Sequence, residues 1–296
     1  MPLDTPTDQN IRITQIAQAK VNLALHITGL RADGYHLLDS LVVFPAFGDR
    51  ITCTIEDEFA LSISGEFAAP LQGDIAENLV LTAAKRLRQA LGTTKAAHIN
   101  LQKNLPVAAG IGGGSADAAA ALVALQQLWG QTLPAQQLHH LATSLGADVP
   151  MCLAGAPVRT QGIGDELSPV PFMPKGMAIV LANPRRPVST PAIFTRLKKR
   201  ENPPLPSMPD TFKDAQELAT WLHTTRNDLQ ETAVALEPSI GQALQALADQ
   251  PQTLFARMSG SGATCFALCE NIKAAEALAQ NLQRMLPSHW ICASAL

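Results

Sequence analysis

Apolar and polar positions alternate along the first part of the chain. Ile11, Ile13 and Ile16 start a two-residue period that passes into a nearly continuous apolar stretch ending at residue 29, which predicts one or two strands. The same criteria predict short strands at 40–44, 50–55 and 98–101. Residues 78–91 show helical spacing instead, with leucines on one side and arginines opposite, and predict an amphipathic helix.

Helices and strands alternate in the remainder of the chain. Helical spacing is found at 115–129, 134–145, 214–224, 232–248 and 272–285. Apolar runs predict strands at 176–182, 255–258 and 265–268, and an edge strand at 290–296. The charged and proline-rich segment 198–210 predicts an exposed connector. We therefore expect an α+β protein with two domains, residues 1–165 and 166–296, divided within 160–175.

Composition narrows the class of partner. The chain has 296 residues, 47% of them hydrophobic, and a net charge of −3, so no basic field favours nucleic acid or anionic lipid. No apolar run reaches the roughly 18 residues of a membrane helix. Residues 1–10 lack the basic start and apolar core of a secretory signal. These features predict a cytoplasmic protein that binds neither nucleic acid nor membrane.

The candidate chemistry centres on residues 106–117. Four of the five residues from Gly110 to Gly114 are glycine, which leaves the backbone N–H groups of this loop accessible to a ligand. Ser115 is a favourable N-cap residue, and the alanine- and leucine-rich run after it predicts a helix as far as Trp129. A bare loop at a helix N-terminus suits an anion, above all phosphate. The simpler interpretation is a flexible turn before an ordinary helix.

Two familiar phosphate-binding loops fit this segment poorly. A Walker-type loop requires Gly-Lys-Ser/Thr, and no lysine follows these glycines. A dinucleotide-binding fingerprint requires a third glycine where Ser115 stands and then a second strand ending in an acid, whereas Pro134 begins another helix. A dehydrogenase stays open only as a formal alternative.

Residues 106–117, Pro-Val-Ala-Ala-Gly-Ile-Gly-Gly-Gly-Ser-Ala-Asp, resemble the second motif of the GHMP kinases, the galacto-, homoserine, mevalonate and phosphomevalonate kinases. Other segments are similar, in the right order, to the branch that acts on 4-diphosphocytidyl-2-C-methyl-D-erythritol; these are 19–29, 31–36, 146–150, 227–229 and 259–264. The resemblance implies a two-domain fold. Its parts are an N-terminal ATP-binding domain with a left-handed β-α-β feature, a C-terminal ferredoxin-like α/β sandwich, and an active site in the cleft between them.

ATP and Mg²⁺ are the cofactors that the resemblance implies. Asn78 and Lys103 match positions near the adenosine, and Ser115 would help phosphate oxygens and water to hold Mg²⁺, so no protein cage for the metal is expected. Ala116 stands where a second serine is common, and Asp117 is expected only to favour the first helical turn. The residues assigned to the ATP phosphates are Pro106, Val107, Ala108, Ala109, Gly110, Ile111, Gly112, Gly113, Gly114, Ser115 and Ala116.

Lys20 and Asp148 match the catalytic residues of the family. The resemblance makes Asp148 the general base for a substrate hydroxyl, and Lys20 a partner hydrogen-bonded to both the aspartate and the hydroxyl. Such help is needed because an aspartate with a pKa of about 3.9 is a weak base at neutral pH. Taken alone, Lys20 would be a strand lysine on a solvated face, and Asp148 a loop aspartate.

Four residues match substrate-binding positions: Asn22, Tyr35, His36 and Thr190. By resemblance, Tyr35 stacks on the cytosine ring, and His36 holds it by hydrogen bonding or stacking. Asn22 would contact the erythritol hydroxyls or the phosphate, and Thr190 would lie close to the substrate. Taken alone, Tyr35 would be a turn residue packed on the core.

The function implied is ATP-dependent phosphorylation of the 2-hydroxyl of 4-diphosphocytidyl-2-C-methyl-D-erythritol, on the non-mevalonate route to isoprenoid precursors. The partner is then a small molecule, a cytidine diphosphate derivative of methylerythritol, and the protein is a monomer or homodimer. Two alternatives stay open. One is another GHMP kinase, of homoserine or mevalonate type, and the other is a nucleotide-binding protein without catalysis.

Overall fold

The computed structural model of the protein describes residues 11–73, 75–170 and 173–296. Its strands are β1 Arg12–Gln18, β2 Val21–Leu30, β3 His36–Val43, β4 Gly48–Glu56, β5 Ala60–Ser64, β6 Ala96–Gln102, β7 Val158–Gln161, β8 Glu166–Pro169, β9 Ala178–Asn183, β10 Phe255–Met258, β11 Cys265–Cys269 and β12 Trp290–Ala295. Its helices are α1 Leu79–Leu91, α2 Gly113–Trp129, α3 Ala135–Leu145, α4 Val149–Ala154, α5 Thr190–Arg196, α6 Ala215–Leu222, α7 Gln230–Leu236, α8 Ser239–Ala248 and α9 Ile272–Met285. Residues 1–10, on which the expectation about a secretory signal depends, and residues 171–172 of the expected boundary lie outside the described residues.

Two compact units make up the described chain, each assembled from separated segments. Unit 1 comprises the described chain up to Gln18 with Gly48–Leu105 and Gly113–Ala154. Unit 2 comprises Ala19–Phe47, Pro106–Gly112 and Gly155–Leu296. The division into domains 1–165 and 166–296 stays a prediction. Among the helices described, none is both long and apolar enough to cross a membrane.

Unit 1 contains a sheet with the strand order β1-β4-β6-β5. β5 and β6 are parallel and connected through α1, whereas the other neighbouring strands are antiparallel. α2 packs against β1 and β4, and α1 packs against α2. Half of the buried residues of α2 are alanines, and these small side chains let the helix approach the sheet closely. Ile51, Leu87 and Leu122 are fully buried in this core.

Unit 2 contains two antiparallel sheets. The first has the order β2-β3-β7-β8, and its strand β2 is buried on both faces from Val21 to Ile27, which is why that strand has no apolar–polar alternation. The second has the order β10-β11-β9-β12, with β12 at the edge as predicted. Its chain order of strand, helices, two strands, helix and strand is the βαββαβ pattern of ferredoxin-like folds. α8 and α9 pack on this sheet.

One predicted helix start is wrong, and one short helix was not predicted. α2 begins at Gly113, so Ser115 is its third residue and not its N-cap. Asp117 consequently lies beyond the first turn of α2, and that first turn has no acidic residue. α4, which no sequence criterion identified, begins at Val149 and includes Pro150. A proline is tolerated there because first-turn N–H groups have no helical acceptor.

The predicted helix 232–248 is also wrong, because it is divided into α7 and α8. Glu237 ends α7, and Pro238 is the N-cap residue of α8. The predicted strands 40–44 and 50–55 are present as β3 and β4, but they belong to different sheets. β3 and β4, which follow each other in the sequence, therefore do not pair with each other. The sequence criteria identified no pattern for four other elements, β5, α5, β7 and β8.

The segment 198–210 has no helix or strand, as predicted, but it is not simply an exposed connector. Leu205 is buried, and its N–H donates to the Asp39 carboxylate over 2.9 Å. The Pro203 carbonyl lies 3.0 Å from Nδ1 of the buried His26. Part of the segment is therefore anchored on unit 2 by polar contacts that its charged and proline-rich composition did not reveal.

Candidate active site

The glycine loop, defined as residues 106–112, enters the left-handed backbone region at three positions. Ala108, Gly110 and Gly112 have φ angles of +52°, +73° and +65°, a region that residues other than glycine rarely adopt. A Cβ atom at Gly110 would lie only 2.6 Å from the carbonyl oxygen of Ser259. Backbone atoms fill the space, so this position admits only glycine.

A turn at residues 259–264 supports the glycine loop. The Ser259 hydroxyl donates to the Gly110 carbonyl over 3.1 Å. The Thr264 N–H donates to the Ala109 carbonyl over 3.2 Å. The turn therefore orders the loop, and its contacts use loop carbonyls, which leaves the loop's N–H groups for other partners.

The chain passes from the glycine loop directly into α2. The N–H groups of Gly113, Gly114 and Ser115 lie in its first turn, where no helical carbonyl is available to accept them. A Cβ atom at Gly114 would have no heavy atom within 4 Å, so the space beside this residue is open. Unused donors, open space and the positive end of the helix dipole together suit a phosphate group.

Lys20 lies between β1 and β2 and not within a strand. Its side chain is 9% exposed, so the interpretation as a solvated strand lysine is wrong. Its N–H donates to the Ile111 carbonyl over 2.9 Å. Its Cβ atom would lie 3.1 Å from a Cβ placed at Gly112. Lys20 is therefore packed against the glycine loop.

Asn22 is buried at the start of β2, and its side chain has an unused acceptor. Its Nδ2 donates to the Ser40 hydroxyl over 2.8 Å, and its backbone N–H donates to Ser259 Oγ over 3.1 Å. Oδ1 has no hydrogen-bond partner among the described residues. A buried acceptor without a donor costs about 1–3 kcal/mol, so this atom is suited to a ligand hydroxyl.

Tyr35 and His36 line a cavity of about 690 Å³ in unit 2. Tyr35 is 60% exposed, so the interpretation as a turn tyrosine packed on the core is wrong. The ring of Phe194, on α5, lies 4.8 Å from the His36 ring, centroid to centroid, with the planes tilted by 35°. The cavity has largely apolar and aromatic walls, which suit a flat heterocycle.

His36, which lines the same cavity, also has an unsatisfied polar atom. Its Nε2 is buried and has no hydrogen-bond partner among the described residues. Burial lowers the pKa of His36, and the nearby Arg200 guanidinium lowers it further. A neutral imidazole offers one donor and one acceptor, which suits the hydrogen-bonding edge of a nucleobase.

Thr190 is the first residue of α5 and lies against the supporting turn. Its Oγ1 is 2.7 Å from the hydroxyl of Ser261. The next residue, Pro191, lines the cavity of Tyr35 and His36. Thr190 therefore connects the supporting turn with the aromatic cavity, all within unit 2.

Lys103 lies in unit 1 within a buried ionic cluster. It is 2% exposed, and its ammonium donates to Asp117 Oδ2 over 2.8 Å and to a carboxylate oxygen of Asp49. The other Asp49 oxygen accepts the N–H groups of Asn104 and Leu105, over 2.6 and 2.8 Å. The cluster fixes the chain just before the glycine loop. The expected place of Lys103 near the adenosine stays a prediction.

The electrostatic balance of this cluster is unusual. Burial disfavours the ammonium, but the two carboxylates outweigh that effect and raise the pKa of Lys103. Burial raises the pKa of Asp117 to about 8, against the opposing effect of Lys103. Asp117 Oδ1 is buried without a hydrogen-bond partner among the described residues. One ammonium thus serves two buried carboxyl groups, and burial favours the protonated form of Asp117.

Asn78 and Asp148 both stand at helix starts in unit 1. Asn78 is the N-cap of α1, where its Oδ1 accepts the Val80 N–H over 2.9 Å. Asp148 is half-buried and immediately precedes α4, and its carbonyl accepts the Cys152 N–H over 3.1 Å. The nucleotide role of Asn78 and the catalytic role of Asp148 stay predictions. In the described ranges, no group of three or more His, Cys, Asp and Glu residues is arranged to hold a metal ion.

Sequence reasoning missed Phe194, Ser40 and Asp49. Phe194 follows Thr190 by four residues, a spacing that would place both on one helical face, but the short helix itself was not predicted. Ser40 and Asp49 contact their partners across strands or loops, and no local pattern marks such contacts.

Comparison with known proteins places the chain in a family. The model of the GHMP kinases N terminal domain matches residues 78–156, and that of the GHMP kinases C terminal matches residues 208–288. A 4-diphosphocytidyl-2-C-methyl-D-erythritol kinase from Ruegeria pomeroyi is 50% identical over 95% of this chain and 98% of its own length. One from Mesorhizobium japonicum is 48% identical over 94% of both chains.

Solved structures agree with these relatives. A crystal structure of 4-(cytidine 5'-diphospho)-2C-methyl-D-erythritol kinase matches with a TM-score of 0.75 and 29% identity, over 96% of this chain and all of that one. Homoserine kinase from Cytophaga hutchinsonii matches with a TM-score of 0.67 and 19% identity, over 100% of this chain and 97% of that one, which is a likeness of fold. The expected two-domain GHMP kinase fold is thereby confirmed. The chain belongs to the GHMP kinases and, within them, to the family of the 4-diphosphocytidyl-2-C-methyl-D-erythritol kinases.

Proposed function

We propose that this chain is an ATP-dependent kinase that phosphorylates the 2-hydroxyl of 4-diphosphocytidyl-2-C-methyl-D-erythritol in the methylerythritol phosphate pathway. The observation that carries this proposal is the cavity of Tyr35, His36 and Phe194, which offers aromatic faces and an unsatisfied histidine nitrogen to a nucleobase. The named activity of the full-length relatives supports the same substrate. We expect the enzyme to work in the cytoplasm, as a monomer or homodimer.

The glycine loop and the first turn of α2 are proposed to bind the ATP phosphates. Support comes from the left-handed φ angles at Gly110 and Gly112, the open space at Gly114 and the unused first-turn N–H groups. The donor set fits Mg²⁺ only if phosphate oxygens and water supply most ligands, with the Ser115 hydroxyl as the one protein ligand proposed. ATP supplies the phosphoryl group, and Mg²⁺ neutralises part of its charge.

Asp148 is proposed to accept the proton of the substrate hydroxyl, and Lys20 to stabilise the negative charge that develops on the oxygen. A positioned general base contributes about 10²- to 10⁴-fold to rate. The support for Lys20 is its burial against the glycine loop, next to the proposed phosphate site. For Asp148 the support is the match of its motif, Gly146-Ala147-Asp148-Val149-Pro150, to the family.

Asn22, Tyr35, His36 and Thr190 are proposed to hold the substrate. The unused Oδ1 of Asn22 would accept a hydrogen bond from an erythritol hydroxyl. Tyr35 and Phe194 would stack on the cytosine, and His36 would bind its edge. Thr190, whose Oγ1 lies within hydrogen-bond distance of the Ser261 hydroxyl, would border the bound substrate.

The test measures ADP release with ATP, Mg²⁺ and 4-diphosphocytidyl-2-C-methyl-D-erythritol as acceptor, with homoserine and mevalonate as alternative acceptors. Asp148→Asn is expected to lower kcat at least a hundredfold, while Asp210→Asn, at an exposed site, leaves it unchanged. Turnover of homoserine or mevalonate in place of the cytidine compound would contradict the substrate assignment. Binding of ATP without turnover of any acceptor would support a non-catalytic nucleotide-binding protein instead.

A further inference from the structure

One fully charged side chain lines the aromatic cavity described above. The walls include Tyr35, Leu38, Ile163 and Phe194, and the charged residue among the described lining is Arg200. A pocket with apolar and aromatic walls and a single cation favours a ligand that combines a flat apolar part with an anion. The walls suit the flat part, and only the cation can neutralise the negative charge.

Among the described residues, Arg200 has no partner for its charge. None of the described residues forms a hydrogen bond or an ion pair with its guanidinium, although Arg31, Arg159 and Arg226 each pair with an aspartate. Arg200 is itself one of the residues that line the cavity, and its charge lowers the pKa of His36 in the same wall. Its five donors are therefore available to a ligand.

We propose that Arg200 binds the diphosphate of the substrate and makes the cavity selective for a cytidine diphosphate over cytidine. The proposal rests on the proposed function, which places a cytidine diphosphate derivative in this cavity. A planar guanidinium forms paired charge-assisted hydrogen bonds with phosphate oxygens, which a lysine cannot reproduce in geometry. Arg200 also disfavours a second positive charge on His36, so the imidazole remains neutral for the base.

The neighbouring cations provide matched controls. Lys198 and Lys199 carry the same charge as Arg200 and lie two residues and one residue before it in the chain. They line a different cavity, of about 500 Å³. Removing either charge changes the net charge of the protein and its general field as much as removal of Arg200. Only loss of Arg200 should change how the aromatic cavity binds an anion.

The experiment measures binding of cytidine, CMP and CDP by calorimetry, without ATP, to the wild type, Arg200→Gln, Arg200→Lys and Lys199→Gln. In the wild type, CDP should bind more tightly than cytidine. Arg200→Gln should weaken CDP binding about 10- to 100-fold and leave cytidine binding unchanged. Arg200→Lys should recover part of the loss, and Lys199→Gln should match the wild type. In turnover, Arg200→Gln should raise KM for the cytidine substrate with kcat retained.

Equal CDP affinity in Arg200→Gln and the wild type would overturn the role of Arg200, as would equal losses for cytidine and CDP. Thermal unfolding of the four proteins identifies a variant that fails to fold, and in that case Arg200→Lys provides the comparison. If wild-type protein bound none of the three cytidine compounds, the proposed substrate class would fail, a result distinct from failure of Arg200 alone.

Discussion

Gly112 and Lys20 approach so closely that a methyl group cannot be placed between them without displacement. A Cβ at Gly112 would lie 3.1 Å from the Lys20 Cβ and 3.5 Å from its Cδ and Cε. The φ angle of +65° at Gly112 is also unfavourable for any other residue. One glycine therefore sets both the path of the glycine loop and the position of the proposed catalytic lysine.

We expect Gly112→Ala to reduce both stability and activity. Strain at positive φ costs about 1–3 kcal/mol, and any relief of the close contact shifts Lys20. The free energy of unfolding in denaturant and kcat for ADP release should both fall. Gly130→Ala is the control for strain alone, because Gly130 has a similar φ of +64° with no atom within 4 Å of its added Cβ.

Gly114→Ala should have the opposite profile. Gly114 has no positive φ, and its Cβ would enter open space, so the free energy of unfolding should hold or rise slightly, since alanine favours helix. The added methyl would occupy the space proposed for a phosphate group, and KM for ATP should rise. Unchanged KM for ATP in Gly114→Ala would contradict the proposed phosphate site.

Local signals in the sequence predict the glycine loop and the helices α1, α3, α6 and α9 well. α9 begins and ends where the periodicity placed it, at Ile272 and Met285, and Asn271 caps it by accepting the Ala274 N–H. Capping and periodicity act over a few residues, so a single sequence contains them. The glycine-rich character of the loop is equally local. The start of α2 was misplaced because the usual preference against glycine in helices does not hold at Gly113 and Gly114.

Contacts between distant residues could not be predicted from such signals. The partners of Lys103 are 54 and 14 residues away in the chain, and neither Asp49 nor Asp117 lies in a motif with it. Burial of Lys20 likewise depends on the glycine loop, which a strand pattern cannot indicate. The family resemblance supplied the site residues, and only coordinates reveal the side chains that hold them.

Asn227→Ala should destabilise the protein strongly. Asn227 Nδ2 donates to the Met258 and Gly260 carbonyls, 2.8 Å each, and its Oδ1 accepts the Leu229 N–H over 3.0 Å. Truncation leaves buried backbone groups unpaired, and each such group lowers the free energy of unfolding by about 1–3 kcal/mol. Because Gly260 belongs to the turn that supports the glycine loop, KM for ATP should rise as well.

The matched control for Asn227 is Asn271→Ala. Its side chain makes a single capping bond, to the Ala274 N–H, and its loss should cost about 1 kcal/mol. The control should leave KM for ATP unchanged. Equal effects of both variants on ATP binding would show that Asn227 does not act through the supporting turn.

Loss of an aromatic face in the cavity should weaken binding of the cytidine substrate. Stacking of a base on an aromatic side chain contributes about 1–3 kcal/mol, so Phe194→Ala and Tyr35→Ala should each raise KM for this substrate about tenfold. KM for ATP should not change. Tyr35→Phe retains the ring and should match the wild type. A large loss in Tyr35→Phe would assign the effect to the hydroxyl and not to stacking.

Asp117 should make the stability of the protein decline as pH rises. Burial raises the pKa of Asp117 to about 8 in the folded state, whereas the pKa of an aspartate in an unfolded chain is about 3.9. Between these values the folded state binds the additional proton, so this group's stabilising contribution is complete below pH 4 and is lost as pH rises toward 8. Asp117→Asn removes the titration and can still accept from Lys103. Its free energy of unfolding, relative to the wild type, should therefore increase from pH 5 to pH 8. A constant difference across that range would show that Asp117 is ionised throughout in the folded protein.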